Sequence, residues 1–133
     1  MKQLTAIIER NEDAFFAYVK EIDGIVAGGL DYKKVKSNLE EMLVLAQEED
    51  DQIKRLLSKG YKLKFEVDLQ SVFDLIPEVN ISQLAITGNI NPGLLRQYVS
   101  GSKKASEAQT KKIMKAIKEV SEKLNSIMLG VGG

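Results

Sequence analysis

The first third of the chain alternates apolar and polar residues in the way that is typical of β-strands. Between residues 3 and 9, every second position is apolar. A second run, rich in aromatic and β-branched residues, extends from Phe15 to Ile22, and a shorter third run covers Ile25 to Ala27. Short polar segments with turn-forming residues separate these runs. The pattern predicts a three-stranded meander.

A helix and a fourth strand are predicted next. Asp31 can cap a helix on which apolar residues recur at helical spacing, namely Val35, Leu39, Met42, Leu43 and Ala46. Four adjacent carboxylates from Glu48 to Asp51 repel one another, so we expect a break there, followed by a short helical stretch that Gly60 ends. Residues 61–67 then alternate strictly. The order β-β-β-α-β predicts an α+β domain whose helix covers one face of the sheet.

The domain boundary is expected directly after this strand. Asp68 is placed to cap a further helix, whose apolar stripe runs from Leu69 to Ile76 and stops at Pro77. No Gly/Ser-rich or Pro-rich tether separates the strand from this helix. The sequence therefore predicts an α+β domain over residues 1–67 and an all-α domain over residues 68–133, held at a restricted angle.

Residues 80–101 have the pattern of a helix-turn-helix. Asn80 can cap a first helix over Ile81 to Thr87, which Gly88 and Asn89 end. The backbone of an asparagine tolerates a positive φ, so Asn89 can take the left-handed position of the turn. Asn91 can cap the second helix, and Pro92 suits its first position. Two short capped helices joined by a tight turn are predicted.

The second of these helices has two different faces. At about 100° per residue, its apolar side chains fall on one arc, formed by Leu94, Leu95, Tyr98 and Val99. Its opposite arc is formed by Gly93, Arg96, Gln97 and Ser100. In the major groove of DNA, arginine pairs with guanine and glutamine with adenine, whereas an ordinary surface helix is also polar on its outer side. The double capping and the tight turn favour the DNA-reading interpretation.

The last quarter of the chain predicts a basic loop and a long helix. The loop contains Lys103 and Lys104, either as DNA-backbone contacts or as a solvated turn. Ser106 and Gln109 form a capping box at the start of the helix. An apolar stripe follows at spacings of four and three, made of Ile113, Ile117, Val120, Leu124 and Ile127. Two heptads fit a dimer seam or a packed core face. Residues 130–133 are expected to fray.

Composition and charge narrow the function. The 133 residues contain no Cys and no His, which excludes disulfides, thiolate chemistry and imidazole catalysis. Although the chain is neutral overall, residues 81–133 carry a net charge of +5 and residues 1–80 a net charge of −5. This division indicates two surfaces with different partners, the basic one containing the DNA-reading helix. No apolar run approaches the length of a membrane span and the first residues do not form a signal peptide, so a cytoplasmic location is expected.

Carboxylates in the first three runs raise the question of a metal-dependent nuclease. The candidates are Glu9, Asp13, Glu21 and Asp23. Asp13 and Asp23 lie in predicted turns, where aspartate is favoured for local backbone bonding. We therefore expect solvated turn and edge residues, with no metal, no cofactor and no catalytic residue.

The segment 82–104 resembles the helix-turn-helix of phage repressor and Cro proteins, and in particular the C-terminal domain of HicB-type antitoxins. The similarity covers Ser82 to Ala85, Ile90 to Tyr98, and Ser100-Gly101 with the lysines that follow. The front half resembles the N-terminal domain of the same family, a reduced ribonuclease-H-like fold. It does so through Ile7 to Glu9, Phe16 to Val19 and Asp23 to Gly28, the last being the glycine-bearing stretch before the helix.

The resemblance implies a function and a set of DNA-contacting residues. It implies an antitoxin that neutralises a small basic ribonuclease toxin of the HicA type through residues 1–67 and represses its own operon. The expected DNA-binding residues are Ser82, Gln83, Asn91, Gly93, Arg96, Gln97, Ser100, Lys103 and Lys104. Because a single helix-turn-helix contacts little DNA, at least a homodimer on a double-stranded operator is expected. The alternative is a stand-alone transcription regulator whose front domain senses a small ligand or oligomerises.

Overall fold

A computed structural model describes residues 1–130 as an α+β fold with a five-stranded mixed sheet and six helices. The strands are β1 (Lys2–Arg10), β2 (Phe15–Val19), β3 (Val26–Gly29), β4 (Tyr61–Val67) and β5 (Ala105–Ser106). The helices are α1 (Tyr32–Glu49), α2 (Asp51–Leu56), α3 (Leu69–Phe73), α4 (Ile81–Thr87), α5 (Pro92–Ser100) and α6 (Glu107–Ser126). Of the segment expected to fray, Val131 to Gly133 lie outside the described residues.

The strands are ordered β3-β2-β1-β4-β5 across the sheet. β1 pairs with β4 in parallel, from Lys2 opposite Tyr61 to Ile8 opposite Val67. The other neighbouring pairs are antiparallel. A parallel pair needs a crossover connection, and in the chain β2, β3, α1 and α2 connect β1 to β4. The predicted β-β-β-α-β order therefore places β1 at the centre of the sheet.

One face of the sheet is covered by α1. Leu4, Ala6 and Ile8 of β1 are fully buried, and they lie beside the buried apolar residues of β2 and β4. Val35 and Leu39 of α1 are also fully buried in this core. Such burial is the main favourable contribution to folding. The predicted one-sided sheet with a covering helix is confirmed.

The connection between β2 and β3 differs from the prediction. β2 ends at Val19 rather than Ile22, and β3 begins at Val26 and continues through the two glycines expected to end it. Ile22 and Ile25 are nevertheless buried, at 7% and 3% exposed. Their apolar character reflects packing under the sheet rather than strand pairing, a distinction that the apolar pattern alone does not make.

The break predicted in the acidic run occurs at Asp50. Its backbone N–H donates the last helical bond, to the carbonyl of Ala46 at 2.9 Å, and its extended backbone, with φ −128° and ψ 110°, ends α1. Its carboxylate accepts from the backbone N–H of Gln52 at 2.9 Å and thus caps α2. One residue therefore serves both helices, because an aspartate side chain satisfies the free N–H groups at a helix start.

The helix after β4 is shorter than predicted. α3 ends at Phe73, and the next turns tighten, because Leu75 and Ile76 donate to carbonyls three residues earlier at 3.1 Å. Asp68 holds the N-cap position, but its side chain makes no capping hydrogen bond. The expected stripe up to Ile76 is therefore only partly helical.

The segment after Asp68 packs against the sheet and is not wholly helical. Ala105 and Ser106 form β5, which pairs antiparallel with Val67 and Glu66. The sequence predicted only helices and a loop here, because a two-residue strand has no periodicity to detect. The backbone N–H of Arg10 also donates to the hydroxyl of Ser71 at 2.9 Å. Residues on both sides of Asp68 contribute to one hydrophobic core.

The apolar stripe of α6 divides into two parts. Ile113 is fully buried, and Ile117 and Val120 pack partly against the core. Further along the same stripe, Leu124 is 58% and Ile127 63% exposed. The core alternative is confirmed for the first part. Leu124 and the three residues that follow the last helical residue, Ile127, Met128 and Leu129, form an exposed apolar segment that we call the exposed apolar end of α6.

Candidate nucleic-acid interface

The helices α4 and α5 begin as the sequence predicts. The side chain of Asn80 accepts from the backbone N–H of Gln83 at 3.0 Å, and that of Asn91 accepts from Leu94 at 3.1 Å. Pro92 is the first residue of α5. Both starts use a short polar side chain to satisfy a free helix N–H. The two predicted short helices and their caps are confirmed.

The turn between the helices is fixed by two residues. Asn89 has a φ of +51°, the left-handed conformation expected for it. Gly88 lies against α6, where an added Cβ would come within 2.9 Å of the Ile90 side chain and 3.2 Å of Ala116. Ile90 is 6% exposed, and its N–H donates to the carbonyl of Ala85 at 2.9 Å. The absence of a side chain at Gly88 therefore allows the turn to rest on α6.

The two arcs of α5 face the core and the solvent respectively. Leu95 is fully buried and Tyr98 is 4% exposed, and burial raises the pKa of the Tyr98 phenol. All members of the predicted polar arc are exposed, namely Gly93, Arg96, Gln97 and Ser100. The face that could enter a DNA groove thus presents a guanidinium and an amide to solvent.

A hydrogen bond across the two helices orients Arg96. Its Nη2 donates to the hydroxyl of Ser82 on α4 at 2.9 Å. Arginine has five N–H donors in a fixed planar arrangement, so one bond orients the group and leaves donors for a base. Gln83, also on α4, is exposed beside Ser82 in sequence. The sequence nominated both α4 residues, but not the bond between helices.

Two of the nominated residues use their side chains locally. The carboxamide oxygen of Asn91 caps α5, which leaves its NH₂ group as the available donor. The hydroxyl of Ser100 donates to the carbonyl of Gln97 at 3.1 Å. Each of these two side chains therefore has fewer polar groups left for an external contact.

The two lysines of the basic loop are in different surroundings. Lys103 is exposed. Lys104 places its ammonium 3.8 Å from a carboxylate oxygen of Asp68, an ion-pair distance too long for a hydrogen bond. That oxygen is buried and has no hydrogen-bond partner among the described residues. The ammonium of Lys103 is therefore the more accessible of the two, and that of Lys104 lies beside a buried carboxylate oxygen.

A second surface lies on the sheet face opposite α1. Ile7, Tyr18 and Val26 are adjacent across β1, β2 and β3, and Phe16 is the next residue on this face of β2. We call these four residues the open-face patch. Phe16, Tyr18 and Val26 are 40%, 38% and 54% exposed, whereas Ile7 between them and β4 is only 4% exposed. The sequence contained a signal of this second surface, because β2 has apolar residues at its outward-facing as well as its inward-facing positions.

Carboxylates border the open-face patch. Glu66 is opposite Ile7 in the parallel pair, and Glu9 is opposite Phe16. Partial burial raises the pKa of the Tyr18 phenol, and the charges of Glu9 and Asp68 raise it further. The patch therefore combines exposed aromatic surface with the carboxylates of Glu9 and Glu66, the second of which lies 3.9 Å from the ammonium of Lys64.

The carboxylates considered as metal ligands are dispersed. Among residues 1–130, no three acidic, His or Cys side chains are grouped as a metal ion would require. Glu21 instead accepts from the backbone N–H of Thr5 at 2.7 Å.

Over residues 1–130, no helix has the length and apolar character needed to cross a lipid bilayer. No protein-family model, curated protein or solved structure matches this chain.

Proposed function

We propose that this protein is an antitoxin that represses its own operon. Its helix-turn-helix binds double-stranded operator DNA, and its sheet binds a small basic ribonuclease toxin of the HicA type. The observation that carries the proposal is the exposed arc of α5, on which Arg96 is oriented from α4 by Ser82. This arrangement suits the major groove, where a guanidinium can donate two hydrogen bonds to one guanine.

DNA binding is supported by charge as well as by shape. Residues 81–133 carry a net charge of +5, and positive charge near the phosphates provides much of the affinity for DNA. Lys103 follows α5 closely and is exposed. Arg96 and Gln97 would read bases, whereas Lys103 would contact the backbone and add no sequence preference.

The open-face patch is the surface that we assign to the toxin. Exposed aromatic residues often dominate the binding energy of protein interfaces. The carboxylates of Glu9 and Glu66 border this patch, and residues 1–80 carry a net charge of −5. A basic partner is favoured by this charge, mainly through faster encounter and orientation. The HicB resemblance supports a ribonuclease as that partner.

Operator binding is expected to require a dimer, and we assign the contact to the exposed apolar end of α6. Its four residues are between 58% and 89% exposed, and they are Leu124, Ile127, Met128 and Leu129. Two copies can bury these residues against each other around a two-fold axis. The two copies of α5, one from each chain, would then reach DNA half-sites about 34 Å apart.

The decisive experiment separates the two binding functions with matched variants. Operator DNA is first selected from a random library with the full chain. We expect Arg96→Ala to weaken binding to that site by about 1 to 3 kcal/mol and to relax preference at one base pair. Arg55→Ala, which removes an exposed arginine from α2, is the control. Equal weakening on all sequences would contradict base reading by Arg96.

The toxin assignment is tested by co-expression with the product of the neighbouring gene. We expect the full chain to restore growth and to co-purify with that product. Phe16→Ala should lower the affinity, while Leu56→Ala, an exposed apolar residue on α2, should not. A neighbouring product that neither binds nor cleaves RNA would favour the alternative, a stand-alone regulator.

A further inference from the structure

The strand β3 forms one edge of the sheet. Among residues 1–130 it pairs with β2 on one side and with no strand on the other. Val26 at its start and Leu30 just after its end are 54% and 83% exposed. We propose that an extended segment of the basic partner adds to this edge as a further strand. The proposal rests on the proposed function, because the partner is the toxin assigned to the open-face patch.

The pairing of β2 with β3 determines which backbone groups of the edge are free. Along an antiparallel pair, positions that exchange hydrogen bonds alternate with positions that do not. The N–H of Val19 donates to the carbonyl of Ile25 at 3.3 Å, so this position is a bonded one. Following the register, the positions of Val26 and Gly28 are not bonded to β2. The backbone N–H and C=O groups of these two residues therefore point away from β2, toward the free edge.

One of these four outward groups is already used. The carboxamide of Asn38 on α1 donates to the carbonyl of Gly28 at 2.7 Å. The N–H of Gly28 and both backbone groups of Val26 have no hydrogen-bond partner in the part of the chain that the structure describes. Natural sheet edges are commonly protected by a charged residue, a proline or a bulge, whereas β3 reads Val-Ala-Gly-Gly. Three groups are therefore available to an added strand.

Continuity and charge identify the source of that strand. Val26 belongs to both the edge and the open-face patch, so a segment bound along β3 extends the surface assigned to the toxin. Pairing with β3 of a second copy would instead bring together two front halves, each with a net charge of −5 over residues 1–80. Like charges oppose that contact and opposite charges favour a basic segment. In strand addition, the main-chain hydrogen bonds supply affinity.

A matched pair of substitutions at Gly28 tests the edge on the full chain, with the product of the neighbouring gene as partner. Proline is tolerated on an edge strand where its missing N–H would face solvent, so Gly28→Pro removes one outward donor. Gly28→Ala keeps that donor, and its added carbon meets the ring of Phe16 at an ordinary 3.5 Å. We expect Gly28→Pro to bind the partner about tenfold more weakly than Gly28→Ala, because one hydrogen bond is lost and the ring obstructs the added strand. Melting temperatures establish that both variants are folded.

Amide hydrogen exchange tests the same edge without a substitution, and it decides the question if Gly28→Pro does not fold. In the free chain the N–H groups of Val26 and Gly28 should exchange rapidly, whereas that of Ala27, which faces β2, should exchange slowly. The partner should slow exchange at Val26 and Gly28.

The outcomes separate this proposal from the proposed function. A partner that binds, is weakened by Phe16→Ala and leaves both edge amides in rapid exchange would overturn strand addition and retain the toxin assignment. Equal affinity of folded Gly28→Pro and Gly28→Ala would also overturn it. Slow exchange of both amides in the free chain at high protein concentration alone would assign the edge to a second copy instead. A neighbouring product that does not bind at all would overturn both proposals.

Discussion

Two alanine substitutions on the apolar stripe of α6 test how this helix is divided. Ile113 and Leu124 belong to the same stripe, but Ile113 is fully buried and Leu124 is 58% exposed. Removing a fully buried isoleucine side chain costs about 2 to 5 kcal/mol, because apolar burial is lost and a cavity remains. The side chain of Leu124 is less than half buried, so its removal should cost less than about 1 kcal/mol.

Urea unfolding measures both costs. At a protein concentration low enough for the chain to be monomeric, and with an m-value of about 2 kcal/mol/M, Ile113→Ala should lower the unfolding midpoint by about 1 to 2.5 M and Leu124→Ala by less than about 0.5 M. The m-value should be unchanged in both variants, since each alters stability and not the surface exposed on unfolding. Equal costs for the two substitutions at every protein concentration would refute the division of α6 into a core part and an exposed end.

The same measurement tests the proposed dimer contact. A dimer stabilises the folded state by mass action. The urea-unfolding midpoint should therefore be higher at the higher of two protein concentrations that differ about fiftyfold. We expect Leu124→Ala to remove this rise, and Ile113→Ala to retain it at a lower midpoint. A midpoint independent of concentration, together with a monomer mass by light scattering, would remove the exposed apolar end as a self-association site.

Three further outcomes are expected. Lys103→Ala should reduce the slope of the logarithm of the DNA-binding constant against the logarithm of salt concentration by about one unit. Lys104→Ala should reduce this slope less, because the Lys104 ammonium already lies beside a carboxylate. Gly88→Ala should cost about 1 to 3 kcal/mol in urea unfolding, because the added methyl meets the turn and α6, whereas Gly28→Ala, with ordinary contacts of 3.5 Å, should cost less. Because of burial and the charge of Glu107, the pKa of Tyr32 is higher in the folded than in the unfolded chain. Its contribution to stability is therefore complete below about pH 10 and is lost as the pH rises above it. Urea unfolding below and above pH 10 should show that the free energy of unfolding falls less at alkaline pH in Tyr32→Phe than in the unchanged protein.

The features that could be predicted from the sequence depend on residues close together in the chain. A cap satisfies an N–H two or three residues away, so Asn80 and Asn91 could each be assigned from its immediate neighbours. The acidic run predicted a break between α1 and α2, but not that Asp50 caps the second helix. The left-handed turn at Asn89 is likewise a property of one residue. The buried and exposed arcs of α5 follow from its 3.6-residue period.

The features that the sequence missed depend on residues far apart. β5 is only two residues long and is recognisable only by its pairing with β4, about forty positions earlier. Asp68 was assigned as a helix cap, yet its carboxylate lies nearest to the ammonium of Lys104. An apolar pocket combines side chains from five elements, namely Phe15, Tyr32, Val67, Leu69 and Met114. The residue pattern of one segment contains no information about contacts with distant segments.

These long-range contacts decide how the two proposed functions can be separated. Cutting the chain after Val67 would remove β5 from the edge of β4 and would remove α3 and α6 from the core shared with the sheet. A truncated front half would therefore expose apolar surface, and its failure to bind a partner would not distinguish unfolding from loss of a site. Phe16→Ala and Arg96→Ala avoid this problem, because both side chains are at least partly exposed and neither belongs to the shared core. Loss of toxin binding in the first variant and of operator binding in the second, each with the other function retained, would assign the functions to the two surfaces.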